Sequence, residues 1–386
     1  MTRLLSTPLN HSRPSGGPRF HLLTRQMLED HTQDLLSHVV PGEHGKTFKK
    51  KTSGSTGNQL QITDTDANRL FWQAGTLRDH LWHERDFSGR LVAIRSGRFV
   101  QDPLLVEEHA SWGPSTSQVY QTGPSSVFFQ RTPIARQAEL LQSLDPAYLL
   151  MYPSNAVRLA NYFRAHDLRL PKLREVMTYG ETMLPEARAV CQNAWGVAVA
   201  DIYSCEEIGY IALQCPQGEN YHCQSESVLV EVLDDAGRPC SPGQIGKVVL
   251  TSRHNFAMPF IRYQNHDYAE VGPPCPCGRG LPVIKRVLGR ARNMAKSADG
   301  TRFWPQLLPE IWAGIGEIEE LQLVQDDIDH IELRVVCRQS LDGSQERNLS
   351  DALAKALGQP FRFSIRYHDE SLRHENGKYE RFICEV

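Results

Sequence analysis

The sequence predicts a large α/β domain with mixed and parallel sheets, followed by a small, mobile α+β domain. Three observations carry that expectation. Short apolar runs alternate with helical stretches through the first half of the chain. After Glu206, strands are separated by turn residues, and a compact strand–helix–strand pattern closes the sequence. Strands alternating with helices argue for a parallel sheet with flanking helices, and strands joined by tight turns argue for an antiparallel segment. At 386 residues the chain is also longer than one compact core ordinarily serves.

Each element has its own signal. Leu70, Phe71, Ala74, Leu77, Leu81 and Trp82 recur at helical spacing with charged residues between them, which predicts an amphipathic helix. Residues 91–94, 148–151 and 175–178 read as buried strands, and Pro185 lies in the first turn of a helix that starts near Leu184. Residues 197–203 form the next strand. Beyond Glu206, residues 228–233 and 247–251 read as antiparallel strands, with the turn Asp234-Asp235-Ala236-Gly237 between them. A Pro/Gly/Cys-rich stretch covers 272–282. The last unit offers a helix at 306–311, strands at 321–324 and 331–336, a helix at 349–357 and a strand at 362–367. Domains of 1–289 and 290–386 follow, the second near a common domain size of about 100 residues.

Composition excludes some functions. Apolar residues make up 40% and charged residues 23%, and the formal net charge is -3. That balance gives no electrostatic case for nucleic acid or an anionic membrane as partner. Residues 1–31 mix Arg, Ser, Pro and Asn without an uninterrupted apolar stretch, so neither a signal peptide nor a membrane span is expected, and the cytoplasm is the default location.

The 9 Cys are an odd number in a chain read this way, and a disulfide framework is not expected. Cys205, Cys215, Cys223, Cys240, Cys275 and Cys277 crowd into the middle, while Cys191, Cys337 and Cys384 stand apart. Cys275-Pro276-Cys277-Gly278-Arg279 places two thiols on a Gly/Pro knuckle, and Cys215 and His222 add a third and a fourth ligand upstream. Three Cys and one His make a closed tetrahedral zinc set, with Cys223 as an alternative to His222. Such a site would be structural and coupled to folding. The plainer alternative is a group of reduced cysteines without metal.

Thr52-Ser53-Gly54-Ser55-Thr56-Gly57 lets backbone N–H groups approach an anion without Cβ obstruction, with hydroxyls as further donors and Lys50 and Lys51 alongside. No Gly-Lys-Ser/Thr follows, so this is not a Walker A loop. The plainer alternative is a flexible surface loop.

Read together, these and later segments resemble the adenylate-forming enzymes, the acyl-CoA synthetase and luciferase superfamily, and within them a shortened phenylacetate–CoA ligase. The resemblance runs from about Lys50 to Lys378 in family order. It implies that Ser53, Gly54, Ser55, Thr56 and Gly57 hold ATP phosphates. It implies that Tyr179-Gly180-Glu181-Thr182 packs on adenine, and that Tyr203 stacks there too. In Asp201-Ile202-Tyr203-Ser204-Cys205-Glu206-Glu207 the final Glu207 would hold magnesium, which prefers carboxylate and phosphate oxygens. Asp267, closing Ile261-Arg262-Tyr263-Gln264-Asn265-His266-Asp267, would bind the ribose hydroxyls, with Arg290 near ribose and phosphate. Lys378, in Asn376-Gly377-Lys378, would stabilise charge during adenylation. Tyr152, Tyr179 and Ser204 would line the acid pocket.

The function so implied is ATP-dependent adenylation of an aromatic or heteroaromatic carboxylic acid, giving acyl-AMP and pyrophosphate. Relatives of reduced length include enzymes that activate phenazine carboxylates in antibiotic biosynthesis. The acyl acceptor is left open among CoA, a carrier protein, an amine and a reductase, and a homodimer is also left open. Departures from the family are Asn58-Gln59 for Lys-Pro, Ser204 for Gly, Glu206 for Thr, Asn265-His266 for Thr-Gly, and Asn293 for the hinge Asp. Of these, Glu206, Asn265-His266 and Asn293 feed the alternative of a nucleotide-binding protein without chemistry.

Overall fold

The computed structural model describes residues 21–386 apart from 52–59, 97–104, 308 and 375. The phosphate-loop residues Ser53, Gly54, Ser55, Thr56 and Gly57 therefore lie outside the described residues. The chain divides into two compact units, Met1–Val287 and Leu288–Val386.

In the first unit α1 (Arg25–Asp30) precedes β1 (Thr47–Lys51) and β2 (Gln61–Thr65), an antiparallel pair in which Lys51 faces Gln61. α2 (Asp66–Trp82) starts at once, because the Thr65 hydroxyl accepts from Asn68 N at 3.1 Å and satisfies a first-turn amide. Then come β3 (Leu91–Arg95), β4 (Val106–His109), α3 (Pro114–Ser117), β5 (Ser125–Phe129) and α4 (Ile134–Leu144). β6 (Tyr148–Met151), α5 (Pro153–Ala165), β7 (Glu175–Tyr179), α6 (Pro185–Trp195) and β8 (Ala198–Cys205) complete the alternating half. β3 pairs in parallel with β5 and β6, β6 with β7, and β7 with β8, as strands covered on both faces should.

The chain then turns antiparallel through β9 (Gly209–Gln214), β10 (Tyr221–Cys223), β11 (Val228–Leu233), β12 (Ile245–Ser252), β13 (Tyr263–Val271) and β14 (Val283–Arg290). These strands do not form a sheet of their own. One 12-stranded sheet runs β11-β12-β13-β14-β10-β9-β8-β7-β6-β3-β5-β4, so the parallel and antiparallel halves are continuous through β10. Three apolar clusters serve it. One joins Val92, Ile94, Leu149 and Val176 to α4, α5 and α6, another joins Leu23, Ile62, Tyr203, Leu250 and Phe260, and a small one holds Leu91, Ala147, Tyr148 and Met177.

The second unit has its own core. β15 (Ala295–Lys296) and β16 (Arg302–Phe303) pair, and β17 (Ile318–Asp327), β18 (His330–Cys337), β19 (Arg362–Tyr367) and β20 (Phe382–Cys384) form a sheet of order β19-β18-β17-β20. α7 (Gly343–Leu357) covers it with Leu349, Leu353 and Leu357, spaced to share one helical face. α7 begins earlier than the apolar pattern suggests, since Asp342 and Gln345 form a capping box ahead of the first buried leucine. The helix expected at 306–311 is instead a single 3-10 turn, Pro309–Ile311. Pro309 has no N–H to continue a helix begun at Gln306, and Gly314 and Gly316 with positive φ follow. Among the described residues no helix is long and apolar enough to cross a membrane.

Candidate active site and metal centre

The parallel strands β3, β6, β7 and β8 all end on one edge of the sheet, the place where ligands bind in open α/β sheets. There Tyr152 follows β6, Tyr179 closes β7, and their rings lie 4.9 Å apart. Arg95, the last residue of β3, stands 5.9 Å from the Tyr179 ring. Burial pushes the Tyr179 hydroxyl up; Arg95 opposes this, and the charges of Glu181 and Glu206 add to it. Gly180 takes a positive φ of 77°, which lets the chain turn sharply after β7. The Glu181 carboxylate then accepts from Ser154 N at 2.9 Å, capping α5 at its positive end.

At the end of β8, Tyr203, Asn265 and Asp267 form a closed triad. The Tyr203 hydroxyl donates to Asp267 Oδ2 at 2.8 Å, and Asn265 Nδ2 donates to the same oxygen at 2.7 Å. Asn265 Nδ2 also lies 3.0 Å from the Tyr203 oxygen, and Asn265 Oδ1 accepts from Asp267 N at 3.2 Å. Burial, followed by the neighbouring Asp267 charge, holds the Tyr203 hydroxyl well above its ordinary range, so it remains a donor. His266 occupies a left-handed conformation, φ 67°, at the position where the family resemblance places Gly. The tight bend that puts Asn265 and Asp267 side by side is thus kept without glycine.

Glu207 is 8% exposed and faces Tyr263 Oη at 3.5 Å and Arg25 Nη1 at 4.0 Å. Lys50 makes a largely buried ion pair with Asp64 at 2.5 Å. Ser204 is half-buried between Tyr203 and Cys205. Arg25, Arg95 and the bonding role of Asn265 were not anticipated. Arg25 and Arg95 sit in segments without a motif, and Asn265 stood out only as a departure from one.

A second constellation lies where β9, β10 and the 272–282 stretch meet. The donor atoms of Cys215, His222, Cys275 and Cys277 all lie within 4.8 Å of one another. Cys275 Sγ is 3.9 Å from Cys215 Sγ, and Cys277 Sγ is 3.2 Å from His222 Nε2. Tetrahedral zinc, with Zn–S near 2.3 Å and Zn–N near 2.0 Å, needs donor separations of about 3.5–3.8 Å, so this set fits it. His222 is fully buried, and its Nδ1 has no hydrogen-bond partner, which leaves Nε2 as the nitrogen aimed into the cluster. Burial, then the Arg279 charge, lowers the His222 pKa and favours the neutral ring that a metal requires. Cys223 is buried in the apolar core instead. Next to His222, Tyr221 donates to the fully enclosed Asp201 at 2.8 Å, tying this knuckle to the strand that carries Tyr203.

In the second unit Asn293 explains its own departure from Asp. Its Nδ2 donates to Phe382 O at 2.8 Å while its Oδ1 accepts from Arg290 N at 3.3 Å. A carboxylate could make only the second of these. Lys378 lies in a turn between Arg373 and Phe382, and Lys378 N donates to Asn376 Oδ1 at 2.9 Å.

Comparisons with known proteins agree with this fold. A family model described as the CapK C-terminal domain matches residues 297–385. The phenylacetate-coenzyme A ligase of Pseudomonas putida is 26% identical over 263 residues, 63% of this chain and 58% of that protein. The enzyme of the same name from Thermus thermophilus is 29% identical over 211 residues, 52% of this chain and 47% of that protein. The chain thus spans about half the length of the curated relatives it matches. Among solved structures, 2-hydroxyisobutyryl-CoA ligase in the postadenylation state superposes with a TM-score of 0.71 at 20% identity, covering 95% of this chain and 80% of that one. Anthranilate CoA ligase AuaEII in complex with anthranoyl-AMP gives a TM-score of 0.58 at 16% identity, over 86% of this chain and 65% of that one.

The fold is that of the adenylate-forming acid–CoA ligases. Within that class the sequence is phenylacetate–CoA ligase-like.

Proposed function

We propose that this protein uses ATP to adenylate a carboxylic acid, with an aromatic or heteroaromatic acid as the first class to test. The observation that carries the reading is the Tyr203–Asn265–Asp267 triad beside Glu207, at the carboxyl ends of the parallel strands. A carboxylate held by two donors on one oxygen suits the paired hydroxyls of a ribose. The Tyr203 ring next to it offers a face for adenine. Glu207 would hold magnesium together with triphosphate oxygens, and the ion would neutralise phosphate charge. Residues 53–57 are assigned to the β- and γ-phosphates on sequence alone, and Arg290 to ribose and phosphate.

In the reaction a substrate carboxylate oxygen bonds to the α-phosphorus, and the bond to pyrophosphate breaks, giving acyl-AMP. Lys378 stabilises the charge that builds on the oxygens between them. Attack of the CoA thiol on the acyl carbon would release AMP; a carrier protein, an amine or a reductase are the other acceptors. The tyrosines Tyr152 and Tyr179, with Ser204, favour a flat ring in the acid pocket. A place in antibiotic biosynthesis, with a phenazine carboxylate as substrate, is the most specific form of this reading. Cys215, His222, Cys275 and Cys277 are assigned to a structural zinc.

The alternative of nucleotide binding without chemistry drew on Glu206, Asn265, His266 and Asn293. Asn265 and Asn293 have bonding roles and His266 takes the left-handed conformation expected of Gly, which weakens their support for it, whereas Glu206 still feeds it.

The test is pyrophosphate release with ATP and magnesium across aromatic and heteroaromatic acids, without CoA. Acid-dependent release is expected, strongly lowered in Lys378→Ala with ATP affinity kept, because a transition-state contact is lost. A normal rate in that variant removes the role of Lys378.

A further inference from the structure

The turn that carries Lys378 is held by two carboxylates, the buried Glu320 and the half-buried Glu380. On one side Glu320, in β17, accepts from Leu372 N at 2.8 Å, from the Ser371 hydroxyl at 3.0 Å and from Arg373 Nε at 3.3 Å. Arg373 in turn donates to Gly377 O at 3.1 Å. On the other side Glu380 takes the Arg292 guanidinium at both oxygens, with Arg292 Nε to Oε1 at 3.0 Å and Arg292 Nη2 to Oε2. His374 Nε2 lies 3.1 Å from Glu380 Oε2.

The turn closes between these braces. His374 N donates to Lys378 O at 3.0 Å, and Gly377 N donates to His374 O at 2.8 Å. Gly377 has φ 79°, the left-handed value such a closure needs. Gln322 Nε2 donates to Glu380 O at 2.8 Å, so the backbone beside the lysine is fixed to β17 as well. Arg292 sits in the segment Arg290–Asn293 that the resemblance marks as the hinge, and Asn293 is bonded to β20.

We propose that Glu380 is a positioning residue for Lys378, locking the hinge segment and the lysine turn into one rigid piece through Arg292 and His374. This rests on the reading that Lys378 acts in adenylation. A bidentate, largely buried Arg–carboxylate pair fixes direction as well as distance. The lysine then moves only as the hinge moves, and its amine keeps one bearing relative to Arg290 and Asn293. A displacement of about 1 Å at a catalytic group can cost roughly 100-fold in rate, which gives such a brace a chemical purpose.

The test compares the full-length wild type with Glu380→Gln and with the double variant Arg292→Met/Glu380→Gln. The double variant avoids leaving the half-buried Arg292 guanidinium without its carboxylate. Lys378 is labelled with acetic anhydride in trace amounts, and its rate is read by peptide mass spectrometry against Lys355 in α7. The expected result is a severalfold change in the Lys378 rate relative to Lys355 in both variants, with their melting temperatures close to wild type. A Lys378-to-Lys355 ratio that stays at the wild-type value in both variants overturns the proposal. The parent reading fails separately, on a normal pyrophosphate-release rate in Lys378→Ala, and the positioning role falls with it.

Discussion

Asn265 was read as a gap in a motif, and it turns out to be the residue that completes one. Thr in its place could donate one hydrogen and accept through one oxygen. Asn reaches both Asp267 Oδ2 and the Tyr203 oxygen through Nδ2 while its Oδ1 accepts from Asp267 N, where a hydroxyl has a single hydrogen to give. Asn265→Thr should therefore loosen the carboxylate. Hydrogen bonds to charged groups contribute about 1.5–3 kcal/mol, so ATP affinity should fall about 10-fold or more. Isothermal titration with ATP and magnesium checks this, and unchanged affinity would separate Asn265 from nucleotide binding. In the second unit Asn293 obeys the same logic, since only an amide serves both Phe382 O and Arg290 N. Motif comparison registers such residues as losses because it compares names. The hydrogen-bond geometry that makes them substitutes exists only once β8 and β13, or Arg290 and β20, have been brought together.

Elements differ in how openly they announce themselves. The parallel strands β3, β6, β7 and β8 were legible because both faces are covered and short apolar runs dominate them, although β7 and β8 also bury Glu175, Thr178 and Asp201. β13 was not, because Tyr-Gln-Asn-His-Asp-Tyr-Ala-Glu-Val reads as a polar motif. Its strand character comes from pairing with β12. The helix expected at 306–311 failed on Pro309, a local veto that the apolar spacing had hidden. The four candidate metal-ligating residues were legible as a cluster of residue types, and the structure brings their donor atoms together. Metal analysis is expected to find about one zinc per chain, lost in Cys275→Ser together with several kcal/mol of stability, since binding free energy of this kind is folding free energy. A metal-free wild type with undiminished stability would end the assignment.

At the level of the whole molecule, the two units have separate cores. Leu321, Leu333, Leu349 and Phe382 pack in the second, with no member shared with the clusters of the first. Calorimetry should resolve two unfolding transitions, and a zinc chelator should lower only the one that belongs to Met1–Val287. A single transition that shifts as a whole would show that the units unfold together.

The great sheet narrows to three residues at β10, where Tyr221 and His222 are the only residues paired with Ile284 and Val283 of β14. His222 is at once a rung of that seam and a member of the four-ligand cluster. A metal ion there would act as a rivet at the narrowest stitch, with the parallel half on one side and the strand bearing Asp267 on the other. Cells short of zinc would then accumulate chains that gape at this seam and fall to proteases. The protein would disappear through turnover while every residue assigned to its chemistry was still intact.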